Sequence, residues 1–85
     1  MQRMMTIRLL FFAVLRDIAG HGEEVLQLAD GTRAEDVWQR LRDEYAPLRD
    51  YTQPPMIAVN ESYVRPDELL HDGDELAFIP PVAGG

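Results

Sequence analysis

The chain of 85 residues contains no cysteine. Disulfides, thiolate metal sites and cysteine nucleophiles are therefore excluded. Basic residues are few: 8 Lys and Arg stand against 15 Asp and Glu, for a net charge of −7. Such a surface repels a phosphate backbone and an anionic membrane, so neither a nucleic acid nor a membrane is an expected partner. It fits a partner with a basic docking face as well as it fits plain solubility. No apolar run approaches the ~20 residues that span a bilayer. Arg8, Arg16 and Asp17 break up the apolar stretch near the start, so no signal-peptide pattern is present and a cytoplasmic location is expected. P-loop, Gly-rich phosphate cradle and metal-ligand cluster are all missing as motifs. One domain of this size buries only about 60–65% of its unfolded surface, which leaves little room for a deep active-site cavity.

What is present is a clear alternation of patterns. Residues 1–5 read as a loose leader, with Met4 and Met5 as alternative starts. Thr6 to Val14 reads as a strand, with Ile7, Leu9, Phe11 and Ala13 on one face. Arg8, Leu10, Phe12 and Val14 occupy the other, wetter face. Leu15 to Gly20 forms a helical turn closed by Gly20. Glu24 to Leu28 is a second strand built around Val25, and Asp30-Gly31 is a turn. Thr32 and Glu35 match a capping box. Ala34, Val37, Trp38, Leu41 and Tyr45 then form one apolar helical stripe, which Pro47 ends near Ala46. Leu48 to Pro55 is a polar connection. Met56 to Val59, Tyr63-Val64 and Glu75 to Ile79 complete the strands.

One amphipathic helix needs one sheet to cover. The first and last strands are the most apolar and belong side by side at the sheet centre. The expected fold is α+β, a β-grasp or ubiquitin-like mixed sheet, over residues 1–81. The expected core is Leu9, Phe11, Val25, Val37, Trp38, Leu41, Ile57, Val59, Leu70, Leu76 and Phe78.

Residues 82–85 form a flexible tail. Pro80-Pro81 stiffens the exit from the sheet, because each ring fixes φ. The four residues that follow reach roughly 13–14 Å when extended. Gly84 and Gly85 have no Cβ, so they fit a narrow channel and leave the terminal carboxyl carbon open to attack. A carboxylate is a poor electrophile and needs activation, for example as an acyl-adenylate. The protein carries no apparatus for that step and would be its substrate.

Leu10-Phe11-Phe12-Ala13-Val14-Leu15-Arg16-Asp17, Asp30-Gly31-Thr32, Ala58-Val59-Asn60 and the last fourteen residues, Asp72 to Gly85, resemble the molybdopterin synthase small subunit, the MoaD family of ubiquitin-like sulfur carriers. The resemblance spans the chain from about Thr6 and is most specific in Pro-Pro-Val-x-Gly-Gly. It implies that a MoeB-type adenylating enzyme activates Gly85 with ATP and that a sulfur donor protein converts it to a thiocarboxylate. It also implies docking on the synthase large subunit, in a heterotetramer, and transfer of sulfur to cyclic pyranopterin monophosphate. No cofactor would be bound permanently, and no metal.

By the same resemblance, partner-binding positions are Phe12, Tyr63 and Ile79, with Pro80, Pro81 and Val82 leading the tail and Arg16 as an ion-pair candidate. Tyr63 departs from the aliphatic residue common there. Asp72 and Asp74 read as a turn before the last strand, and His21 and His71 as surface residues. Three other readings stay open: a carrier for thiamine thiazole or another thiolation pathway, a ubiquitin-like modifier joined to lysines through Gly85, and a plain β-grasp interaction domain with an inert tail.

Overall fold

The computed structural model describes residues 3–80. Five strands form one mixed sheet in the order β2-β1-β5-β3-β4. They are β1 (Met4–Leu10), β2 (Glu23–Ala29), β3 (Met56–Val59), β4 (Ser62–Val64) and β5 (Glu75–Ile79). Two helices intervene, α1 (Ala13–Ala19) and α2 (Ala34–Glu44), and a 3₁₀ turn spans Ala46–Asp50. β1 pairs antiparallel with β2 and parallel with β5, while β3 pairs antiparallel with both β4 and β5. The first and last strands are thus neighbours inside the sheet, as their apolar content predicts.

Helix α2 covers one sheet face through Ala34, Val37, Trp38 and Leu41. The Trp38 and Phe78 rings meet with centroids 5.2 Å apart. The start of α2 lies one residue later than the capping-box reading. Arg33 is the N-cap, and Asp36, not Glu35, accepts from its backbone N–H at 2.8 Å. Thr32 instead donates its hydroxyl to the Ala29 carbonyl at 2.7 Å. The reason is tertiary: the carbonyls of Glu68 and Pro66 accept from the N–H groups of Ala34 and Glu35, satisfying donors that a helix leaves open. At the other end Arg49 reaches back and donates to the carbonyls of Arg42 and Asp43.

Five further expectations need correction. Residues 4 and 5 are not part of a loose leader, because β1 begins at Met4 and Met5 is 2% exposed in the core. β1 ends at Leu10, not Val14. The Phe11 N–H bonds the Gly22 carbonyl, Ala13 adopts φ 48, and the next residues coil into α1 with Leu15 buried. An unbroken apolar run has no period with which to tell strand from helix. In β2 the parity is inverted: Leu26 and Leu28 are buried and Val25 is 64% exposed. The register sets this, since Ile7 faces Leu26 and Met5 faces Leu28. Finally, the connection after α2 is anchored by Leu48, which is 1% exposed. Val59 only packs at the core margin.

These corrections are measurable by chemical denaturation. Leu48→Ala is expected to lower stability by about 2–5 kcal/mol, as for a truncated core side chain. Val25→Thr is expected to change it by less than about 0.5 kcal/mol, since the side chain lies on the solvent side.

Candidate functional site

The sheet face away from α2 carries the candidate site. Side chains alternate along a strand, so with Leu76 and Phe78 fully buried, Ala77 and Ile79 point to the opposite face. The register aligns Tyr63 with Ala58, Ala58 with Ala77, and Ala77 with Leu10. One cross-strand row thus runs over four strands, with two alanines in the middle and larger residues at its ends. Met56 faces Ile79 in the next row. Small side chains flanked by large ones make a shallow apolar depression, and Phe12, Tyr63 and Ile79 all line it.

These three are among the exposed large apolar residues, at 51%, 70% and 39% respectively. Phe12 reaches the patch by a route the strand pattern did not foresee. It is the residue before α1, in extended conformation, and the left-handed turn at Ala13 makes the corner that leaves its ring outside. Pro80 follows Ile79 and is half-buried. Pro81, Val82, Gly84 and Gly85 lie outside the described residues. Arg16 does not join the patch lining. It is exposed in the last turn of α1, where a cation complements the helix dipole, and it makes no salt bridge among the described residues.

A hydrogen-bonded brace fixes the start of β5. The Asn60 backbone N–H donates to the Glu75 carbonyl at 2.8 Å, and its side-chain carbonyl accepts from the Glu75 N–H at 3.0 Å. The Asn60 side-chain amide donates to Asp74 Oδ1 at 2.9 Å, while Asp74 Oδ2 accepts from the His71 N–H at 2.8 Å. Asp74 is 9% exposed, so these partners matter. Asp72 accepts from the Thr6 N–H at 2.7 Å and Gly73, at φ 86, turns the chain. Both aspartates are therefore spent on shaping the turn. Arg8 lies beside the patch, bonded to Glu75 and 3.5 Å from Glu23. The hydrogen bond and charge of Glu75, then the charge of Glu23, raise its pKa.

Sequence reasoning missed the floor of the patch, Leu10, Ala58 and Ala77, and its edge residue Glu61. The alternation of β5 already put Ala77 with Ile79. The pairing that aligns it with Ala58 and Leu10 is a property of the sheet alone.

The model of the ThiS family matches residues 9–85. The chain belongs to the ThiS family. Within the reach of that family, it is 40% identical over 83 residues to a molybdopterin synthase sulfur carrier subunit of Chlamydomonas reinhardtii, covering 95% of this chain and 100% of that one. The structure matches a putative molybdopterin converting factor subunit 1 from Pyrococcus furiosus with TM-score 0.78 and 31% identity, over 92% of this chain and 99% of that one. It also matches the small archaeal modifier protein 1 of Methanosarcina acetivorans with TM-score 0.70 and 30% identity, over 98% and 99% of the two chains. The ubiquitin-like β-grasp expected from the strand and helix order is the fold that is found.

Asp74→Ala is expected to destabilise the protein by about 1–3 kcal/mol, because it orphans the Asn60 amide and the His71 N–H. Thermal or urea unfolding checks this.

Proposed function

We propose that this chain is the sulfur carrier subunit of a molybdopterin synthase and that its reactive group is the carboxyl of Gly85. The observation that carries the reading is the full-length likeness to a sulfur carrier subunit. The geometry supports it, because the exposed apolar patch lies where β5 ends and the chain runs on through Pro80. Among the described residues no helix is long and apolar enough to cross a membrane. The cytoplasm is the proposed compartment.

The chemistry proceeds in steps on other proteins. A MoeB-type adenylating enzyme joins the Gly85 carboxylate to AMP from ATP, with release of pyrophosphate. The outer sulfur of a donor protein's persulfide then attacks the acyl carbon and displaces AMP. A second thiol cleaves the resulting acyl disulfide, which leaves a thiocarboxylate on Gly85 and a disulfide on the donor side. The loaded carrier docks on the large synthase subunit, in an assembly of two copies of each, and passes its sulfur to cyclic pyranopterin monophosphate. Phe12, Tyr63 and Ile79 supply the docking surface, and a large exposed apolar patch is the expected mark of one. Pro80, Pro81 and Val82 direct the tail, and Gly84 gives it a slim profile. None of the 85 residues is lysine, so an activated Gly85 meets no side-chain amine of its own chain.

A modifier role is the second reading, favoured by the likeness to the small archaeal modifier protein. Incubation with the adenylating enzyme, Mg-ATP and a sulfide source separates the two by intact mass. A carrier gains one oxygen-to-sulfur exchange in its C-terminal peptide, whereas a modifier appears joined to other proteins. One residue appended after Gly85 is expected to abolish sulfur transfer and leave the melting temperature unchanged. Normal transfer by that variant would remove the terminal carboxyl from the mechanism. Phe12→Ala or Ile79→Ala is expected to weaken large-subunit binding by about 1–3 kcal/mol, in a titration of the two subunits, with a smaller loss in folding stability.

A further inference from the structure

The docking patch is apolar except for two carboxylates at its edge, Glu61 and Glu75. Glu75 is answered within the chain by Arg8. Glu61 is exposed and has neither a hydrogen bond nor an ion pair among the described residues. It occupies the second position of the two-residue turn between β3 and β4, after Asn60. Both turn residues have positive φ, 50 at Asn60 and 71 at Glu61. A tight hairpin of this kind favours Asn at the first position and Gly at the second. Asn60 meets that preference and uses its side chain in the brace. Glu61 does not, and among the described residues its side chain makes no hydrogen bond or ion pair that would offset the less favourable backbone.

A carboxylate beside an apolar depression has a simple fate when a partner seats there. It loses part of its water, and a desolvated carboxylate without a donor is costly. A cationic donor answers it best, through a charge-assisted hydrogen bond. The net charge of −7 favours a partner of opposite sign. Resting on the docking surface proposed above, we propose that Glu61 is a specificity contact that pairs with a lysine or arginine at the rim of the partner's apolar docking face.

The test uses the full-length carrier and the large synthase subunit of the same organism, titrated at about 0.05 M and about 0.5 M salt, across which screening changes strongly. Glu61→Gln keeps the size of the side chain and removes the charge. It is expected to weaken binding about two- to fivefold at low salt. Its affinity should also fall less with added salt than that of the unaltered protein. Glu61→Lys, which sets like charges together, is expected to weaken binding by at least about tenfold. Both variants should melt within about 2 °C of the unaltered protein, since the exposed carboxylate makes no hydrogen bond or ion pair among the described residues. Binding by Glu61→Gln that equals the unaltered protein at both salts overturns the inference. Weaker binding with an unchanged salt dependence points to a neutral donor and overturns it as well. Phe12→Ala serves as the reference. If it weakens binding while the Glu61 variants do not, the docking surface stands and the Glu61 pairing falls. If it binds normally, both fall together.

Discussion

The insertion of β5 between β1 and β3 is the constraint on which the rest of the structure depends. This strand comes last in the sequence and sits third in a sheet of five. Its parallel pairing with β1 and antiparallel pairing with β3 join the two halves of the chain. Leu76 and Phe78 fill the core from it with no exposed surface. A parallel pair cannot be made by a hairpin, so everything between β1 and β5, including α2, forms the crossover connection between them. The residue that follows the strand then leaves from the most firmly held part of the sheet.

The brace at the start of β5 adds to that rigidity. Asn60 binds both backbone groups of Glu75, and Asp74 locks the preceding turn through Asn60 and His71. The Ala58-Val59-Asn60 and Asp72-Gly73-Asp74 segments, far apart in sequence, thus form one joint. Two carboxylates that could suggest a cation site are accounted for as acceptors of backbone and amide donors. Buried polar groups held this way favour a single arrangement of the hairpin and of β5, and so a single position for the patch that both strands build.

The two faces of the sheet carry different physics. The inner face pays its way by burial against α2, with the tilted Trp38–Phe78 contact at its centre. The outer face keeps Phe12, Tyr63 and Ile79 in water, which is unfavourable for an isolated chain. Excess negative charge on the remaining surface opposes self-association of such a patch. An apolar area bounded by carboxylates fits an encounter that is steered by charge and held by apolar contact.

The sequence alone determined the elements with strong periods or punctuation. The helical stripe from Ala34 to Tyr45, the glycine stop at Gly20, the turn at Asp72 to Asp74 and the central placing of the first and last strands were all legible. So was the exposure of Ile79, through alternation against Phe78. Tertiary structure decided what lacks a local signal. Leu10 to Leu15 is apolar throughout, and only the Gly22 carbonyl and the turn at Ala13 divide it into strand and helix. The parity of β2 followed from pairing with Ile7 and Met5, because a strand with apolar residues on both faces has no preferred side of its own. Leu48 is a single side chain in a short turn, too little for any periodicity, and the patch floor of Leu10, Ala58 and Ala77 exists only where four strands lie in register. Local pattern reads neighbours along the chain, whereas burial and register are set by neighbours across the sheet.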